Sequence, residues 1–240
     1  MTGRAALVTG GSSGIGLAIA RALGEDGYSL TVSARRPEKL EAAVSGLRDG
    51  GIDQVQAVPA NMASDEDIRR VVDAHKERYG RLDVLINNAG VGIGSAIADA
   101  ETKKLDMQLD VNLRGVYLTL RDCIPMLKEA GAEHHKALVV NTASIAGVRG
   151  QGWLAAYSAT KAAVIGLSQA AHLELSGDGI QVTAFAPGFV DTAMTEWATG
   201  QVSREDMIRP EDLAEAVRFL LRTSPACIVP EIRFIRPGEG

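Results

Sequence analysis

The sequence predicts an α/β fold: a single doubly wound, Rossmann-type domain over residues 1–240, its parallel sheet of about seven strands flanked by helices on both faces. Three observations predict it. Short apolar runs alternate with segments of helical periodicity along the chain, the pattern that yields right-handed crossovers and a parallel sheet. Apolar residues make up 46% of the chain but aromatics only 4%, so Val, Ile, Leu and Ala must fill the core, as they do in buried parallel strands. A length of 240 residues suits one large domain better than two small ones.

Residues 4–9 are a short apolar run, read as a buried first strand. Gly10, Gly11, Ser12, Ser13 and Gly14 follow, and then Ile15, Ala18, Ile19, Ala22 and Leu23 recur at helical spacing. Residues 28–34 form the second strand. Pro37 opens the next helix, where its missing N–H costs nothing. Leu40, Val44 and Leu47 mark its inner face, and Gly50-Gly51 ends it. Residues 54–59 are a third strand. Ser64 and Asp67 stand at capping-box spacing before Ile68, Val71, Val72 and Tyr79, and Gly80 stops that helix. Residues 82–86 are the fourth strand, followed by a helical region over 101–130 with a break near Asn112. Residues 137–141 are the fifth strand, 155–175 a long helix, 181–186 the sixth strand, 211–221 a helix and 231–235 the seventh strand. There is no internal repeat, low-complexity tract or linker.

A net charge of −5 gives no reason to expect nucleic-acid binding. Cys123 and Cys227 are too few for a disulfide framework and read as core thiols. With no signal-peptide pattern and no apolar run long enough to span a bilayer, the expectation is a cytoplasmic protein without a membrane partner. His75 and His172 fall within helices, on polar or half-buried positions, and His134-His135 in a loop. None has metal-ligand company at suitable spacing, so no metal site is expected. A serine hydrolase reading lacks the Gly-x-Ser-x-Gly elbow, and Asp65, Glu66 and Asp67 complement a helix N-terminus.

In a doubly wound sheet ligands bind beyond the carboxyl ends of the strands. After the first strand comes Thr9-Gly10-Gly11-Ser12-Ser13-Gly14-Ile15-Gly16. Glycines allow a tight turn and close approach to a ligand, and the amides opening the next helix suit a pyrophosphate. A Walker loop is excluded, because no Gly-Lys-Ser/Thr occurs here. An acid at the end of the second strand would hold the ribose 2′-hydroxyl of NAD. The segment is instead Ser33-Ala34-Arg35-Arg36, and arginine binds phosphate through paired, charge-assisted hydrogen bonds. The sequence therefore predicts NADP(H) in preference to NAD(H).

These residues resemble the compact form of the short-chain dehydrogenase/reductase family over nearly the whole chain. The glycine turn matches Thr-Gly-x-x-x-Gly-x-Gly. Asn87-Asn88-Ala89-Gly90 follows the fourth strand, Ser144 the fifth, and Pro187-Gly188 the sixth, with Thr192 just beyond. Tyr157-Ser158-Ala159-Thr160-Lys161 matches Tyr-x-x-x-Lys, and Asn112 matches the family asparagine. Each piece is common alone; all of them in order are specific.

The resemblance implies that Thr9, Gly10, Ser12, Ser13, Gly14, Ile15 and Gly16 line the cofactor's phosphates, and that Arg35 and Arg36 take the 2′-phosphate. Asn61-Met62 would flank adenine, where the family usually has an aspartate and a small apolar residue. Asn88, Ala89, Gly90 and Val111 would line the adenosine and ribose side. Pro187, Gly188, Val190 and Thr192 would fix the nicotinamide carboxamide.

Hydride addition to a carbonyl builds negative charge on oxygen, which needs a proton donor within reach. Tyrosine supplies one, but with an unperturbed pKa of about 10; a nearby ammonium favours its phenolate. Tyr157 and Lys161 are four apart on a predicted helix and share a face. Tyr157 is thus the expected acid in reduction and base in oxidation. Lys161 is expected to favour the phenolate and bind the nicotinamide ribose, Ser144 to hold the substrate oxygen, and Asn112 to hold a water connecting Lys161 to solvent.

Residues 188–209 are the expected substrate loop. Met194, Trp197 and Met207 in it, with Trp153, Ile93, Ile145 and Ala146 elsewhere, suggest an apolar pocket that Ser144 and Tyr157 complete. The expected activity interconverts a ketone, a 3-oxoacyl or other apolar carbonyl compound, and its secondary alcohol. The alternative from another class is a catalytically silent NADP(H)-sensing protein, whose expected mark, loss of Tyr or Lys, is absent. A lyase or epimerase usually carries an extra substrate domain that this chain has no length for. The C-terminal stretch Cys227-Ile228-Val229-Pro230-Glu231-Ile232 lacks the Gly-rich segment often found in ketoacyl-carrier reductases, which weakens an acyl-carrier substrate and the usual tetramer contacts. The resemblance implies a homo-dimer or homo-tetramer, pairing through the helices near 112–130 and 155–175.

Overall fold

The computed structural model describes residues 3–198, 200 and 202–238. Seven parallel strands form one sheet in the order β3-β2-β1-β4-β5-β6-β7. They are β1 (Ala5–Thr9), β2 (Ser29–Ala34), β3 (Val55–Pro59), β4 (Val84–Asn87), β5 (Ala137–Thr142), β6 (Ile180–Pro187) and β7 (Glu231–Phe234). The order reverses between β1 and β4, so their connections leave in opposite directions and open a crevice above their carboxyl ends.

Strand alternation sorts the core into two layers. Ala6 and Val8 of β1, Val84 and Ile86 of β4, and Leu138 and Val140 of β5 point to one side, where α1 (Gly14–Glu25), α2 (Pro37–Asp49) and α8 (Pro210–Arg222) cover them. Leu7, Leu85 and Val139 point to the other, under α3 (Asp65–Tyr79), α5 (Gly115–His134) and α7 (Ala155–Leu175). Both faces are therefore closed, which is why these strands are continuously apolar rather than alternating. Two shorter helices, α4 (Thr102–Leu109) and α6 (Ile145–Val148), complete the set used below.

Several expectations change in detail. The break expected near Asn112 is a π-turn, Asp110–Arg114, that carries α4 into α5 without interruption. The capping box at Ser64 is half formed: Ser64 accepts from the Asp67 amide, but the Asp67 carboxylate accepts from Asn61 N at 2.7 Å. Gly80 does end α3, at φ +67°. Cys123 is buried as expected, but Cys227 is exposed, because it follows α8 in the turn before β7 and no layer covers it. His134 closes α5 rather than lying in a loop, while His135 follows it as a left-handed bend before β5. His75 is fully buried rather than half-buried, bonded to Thr31 Oγ1 (2.7 Å) and Arg81 O (2.9 Å). Desolvation pushes its pKa down to about 4, so it stays neutral. Among the described residues no helix is long and apolar enough to cross a membrane.

Candidate active site

A cavity of about 540 Å³ occupies the crevice at the carboxyl ends of the strands. Its floor is the turn between β1 and α1. Gly10 and Gly14 there have φ of +67° and +53°, values an L side chain rarely adopts. A Cβ on Gly10 would lie 2.8 Å from the Ala89 backbone, and one on Gly16 2.4 Å from the Gly10 carbonyl oxygen. The turn is thus pressed against its own backbone and against the segment after β4. Ser13, the N-cap of α1, makes no side-chain cap, and no acid stands in the first turn. The opening amides are left for an external anion, the arrangement that suits a pyrophosphate.

Gly10, Ser12, Ser13, Gly14 and Ile15 line the cavity; Thr9 and Gly16 do not. Thr9 is buried, and its Oγ1 accepts from the amides of Asn88 and Ala89, both at 3.1 Å. It ties the second cavity segment to the first. Gly16 is the close-packing glycine of the helix. Both act on the cavity through neighbours rather than as its wall.

Arg35 and Arg36 line the cavity beyond β2, and both are exposed. Asn61 and Met62 line it beyond β3, and Asn88, Ala89, Gly90 and Val111 near its middle. Asn61 Oδ1 already accepts from Ala63 N at 3.2 Å. Pro187, Gly188, Val190 and Thr192 close the far side. A glycine-walled turn with unpaired amides at one point and two guanidinium groups at another is a donor set that fits a phosphorylated dinucleotide.

Buried Ser144 and Lys161 meet half-buried Tyr157 on the opposite wall. Ser144 follows β5 and caps α6, accepting from Ala146 N at 3.1 Å, yet its hydroxyl also acts on Tyr157, opposing the rise that burial causes in the phenol's pKa. It is both a helix cap and a site residue. Tyr157 and Lys161 sit one turn apart on α7. Lys161 Nζ donates to Thr142 O at 2.7 Å and lies 5.7 Å from the Tyr157 ring centroid. Gly147 lets α6 touch α7: a Cβ there would lie 2.5 Å from the Lys161 carbonyl carbon. That contact brings Ser144 to Tyr157, and the sequence reading missed it.

Electrostatics in the site differ from expectation. Desolvation raises the Tyr157 pKa above its ordinary value, and the hydrogen bond from Ser144 opposes this only in part. Burial pushes Lys161 down to about 8. Where the sequence predicts a lowering of the Tyr157 pKa by Lys161, burial raises it: it disfavours both charged forms, and the ammonium donates to the Thr142 carbonyl.

Asn112 does not line the cavity. It is fully buried in the π-turn, and its amide is committed to Val91 N and Val91 O, both at 2.8 Å, and Thr160 Oγ1 at 3.1 Å. It fixes the segment after β4 to the helix carrying Tyr157. No hydrogen bond reaches from it to Lys161, although a Cβ on Gly90 would lie between them, 3.4 Å from Asn112 Oδ1 and 3.5 Å from Lys161 Nζ.

At the substrate end, Ile145, Ala146, Trp153 and Met194 line the cavity. Ile93 does not; its neighbours Gly92 and Gly94 do, and the Ile93 amide donates to Gln108 Oε1 at 3.1 Å. Met207 is buried against Val202 and Phe189, so it packs the loop instead of facing substrate. Trp197 belongs to the 3-10 segment Ala193–Ala198, and its side chain falls outside the described residues. Phe189, Gln151 and Leu154 also line this end and were not anticipated; no motif spacing marks them.

A profile for the short chain dehydrogenases matches residues 4–202. An uncharacterized oxidoreductase of Staphylococcus aureus (strain MW2) is 35% identical, with 99% of this chain and 98% of that protein aligned. Among solved structures, an alcohol dehydrogenase of Thermococcus sibiricus complexed with 5-hydroxy-NADP is 30% identical, with a TM-score of 0.88 over 99% of this chain and 97% of that one. An actinorhodin polyketide ketoreductase variant with NADPH is 35% identical, with a TM-score of 0.86 over 96% and 95%. A 3-ketoacyl-(acyl-carrier-protein) reductase of Brucella melitensis complexed with NADH is 30% identical, with a TM-score of 0.85 over 96% of each chain. These neighbours bind phosphorylated and unphosphorylated forms of the dinucleotide.

Proposed function

The chain belongs to the short-chain dehydrogenase family and is an oxidoreductase with a Rossmann-type fold, and we propose that it is an NADP(H)-dependent reductase of ketones to secondary alcohols, acting in either direction. The observation that carries this reading is the meeting of Ser144, Tyr157 and Lys161 on one wall of the cavity whose other end holds Arg35 and Arg36. Bound NADPH would supply the hydride. Gly10, Ser12, Ser13, Gly14 and Ile15 would hold its pyrophosphate, the two arginines its 2′-phosphate, and Pro187, Gly188, Val190 and Thr192 its carboxamide.

Each protein group then has one task. Ser144 Oγ donates a hydrogen bond to the carbonyl oxygen and orients it. Tyr157 Oη gives its proton to that oxygen as negative charge develops. Its preference for the neutral form suits an acid that must hold its proton until then. Lys161, buried yet able to hold or release a proton near neutral pH, would hydrogen-bond the nicotinamide ribose and supply the proton that restores the phenol. Asn112 keeps the segment after β4 in register with α7. Residues 188–209 form the substrate loop of a single domain. The chain acts on a small molecule, in the cytoplasm, as a homo-dimer or homo-tetramer.

The test follows NADPH absorbance with a panel of ketones. Turnover with at least one ketone is expected. Tyr157→Phe should lower kcat by about 10²–10⁴-fold while NADPH still binds. NADPH binding without turnover on any ketone would replace this reading with a cofactor-sensing role.

A further inference from the structure

Trp153 is unusual in three respects. It has φ +66°, one of two described non-glycine residues in the left-handed region. It is 58% exposed although it lines the cavity. Its indole also rests directly on Gly94: a Cβ there would lie 2.2–2.6 Å from three atoms of the ring. A backbone bond from Ser95 N to Trp153 O, 2.8 Å, fastens the same two segments. A strained backbone persists where its surroundings over-determine it, which is common at ligand sites.

The same short segment also seats the proposed acid. A Cβ on Gly92 would lie 3.6 Å from the Tyr157 ring. The two aromatic rings therefore rest on glycines two residues apart, and two residues of chain span no more than about 7 Å. The indole is thus placed within reach of a substituent next to a carbonyl held at Tyr157. The charged residues on the cavity wall, among those described, are Arg35 and Arg36 beyond β2, and Lys161, whose ammonium donates to the Thr142 carbonyl and lies 5.7 Å from the Tyr157 ring centroid. Besides these, nothing charged on the described wall is there to recognise an acid or a phosphate, and Met194 adds a polarizable apolar edge.

We propose that Trp153, seated on Gly94, is a stacking shelf that selects uncharged ketones carrying a flat aromatic or conjugated ring next to the carbonyl. This deepens the ketone-reductase reading and rests on it. An indole face gains from stacking on a flat ring and gains less from a puckered one of the same size. Gly94 is part of the device, because a side chain there would lift the ring from its seat.

The experiment compares acetophenone with cyclohexyl methyl ketone, a pair that differs in ring flatness. Turnover is measured with NADPH for wild type, Trp153→Phe, Trp153→Gly and Gly94→Ala. Calorimetric titration of both ketones into NADPH-loaded Tyr157→Phe and Tyr157→Phe/Trp153→Gly reads binding without chemistry. Wild type should favour acetophenone by about tenfold in kcat/KM, mostly through KM. Trp153→Gly and Gly94→Ala should bring the ratio near one, and Trp153→Phe should keep most of it. Trp153→Gly suits φ +66°, so a loss in it reports the ring rather than backbone strain. A ratio that is the same in all four proteins overturns the shelf while leaving the reductase reading intact. No turnover, with acetophenone binding that still depends on Trp153, overturns the reductase reading while leaving the shelf. Binding that ignores both the ring and Trp153 overturns the shelf, whatever the turnover.

Discussion

The two ends of the cavity are built differently. At the cofactor end the tightest contacts of Gly10 and Gly16 are backbone on backbone, against Ala89 and the Gly10 carbonyl, while Gly11 and Gly14 meet the side chains of Val32 and Thr192. At the substrate end they are backbone on side chain, as with Gly94 beneath the Trp153 ring. The first end is set by β1, β4 and α1, all cross-braced by the sheet. The second is made of loops and 3-10 turns, with a small cluster of Val202, Met207 and Phe189 as its own core. A backbone contact cannot relax without moving a strand, whereas a ring can swing away. The cofactor end should therefore be intolerant of substitution and the substrate end adaptable.

The sharpest way to break this contrast is to add one methyl group at each end. Gly16→Ala places a Cβ 2.4 Å from a carbonyl oxygen, and should cost about 1–3 kcal/mol of stability and well over about tenfold in NADPH affinity. Gly94→Ala should leave NADPH affinity within about twofold, because only an indole must move. Thermal unfolding and cofactor titration of the two variants decide it; equal losses would erase the distinction.

Next in size is the arginine pair. Charge-assisted hydrogen bonds contribute about 1.5–3 kcal/mol each, so Arg35→Ala should reduce the preference for NADPH over NADH roughly ten- to a hundredfold. Parallel titrations of the two cofactors check this, and an unchanged ratio would assign the 2′-phosphate elsewhere.

Lys161 gives a smaller, pH-dependent effect. Its folded pKa of about 8 lies below the ordinary 10.5. The unfolded chain therefore binds more protons between those values, and the penalty on the fold, complete below pH 8, is relieved as pH rises through that window. Lys161→Met lacks the penalty. Its stability relative to wild type should be greatest near neutral pH and shrink toward pH 10.5, read by urea denaturation across that range. A gap that grows with pH would reverse the assignment.

The smallest effect belongs to the substrate loop. Arg204 pairs with Asp191 at 2.8 Å, but both are substantially exposed. Such pairs contribute about 0.2–1 kcal/mol, so Arg204→Ala should shift Tm by less than about 4 °C. A larger drop would show that the loop is coupled to the main core more tightly than its own small cluster suggests.

Legibility in the sequence follows the same division. The strand–turn–helix order, the glycine turn and the two arginines were readable because each answers to a local rule, and the Ser144, Tyr157 and Lys161 set because together with that turn it resembles a family pattern. A tight turn needs glycine, and a shared helix face needs a spacing of four. Thr9 and Asn112 were also singled out, and the structure adds a bracing contact for each: both hydrogen-bond the segment after β4. Gly147 and Gly94 went unnoticed, since a lone glycine carries no signal until the surface pressed against it is known. Phe189, Gln151 and Leu154 belong to the wall for the same non-local reason.

By itself, then, the sequence determined the alternating strands and helices, the two-sided core and the chemical types gathered at the strand ends, because these depend on periodicity and on steric limits within a few residues. Only the tertiary structure decided which of those residues face the cavity, that burial rather than the Lys161 charge governs Tyr157, and that Trp153 lies on Gly94 within reach of the proposed acid. These outcomes depend on desolvation and on contacts between segments far apart in the chain, quantities that exist only after the layers have packed.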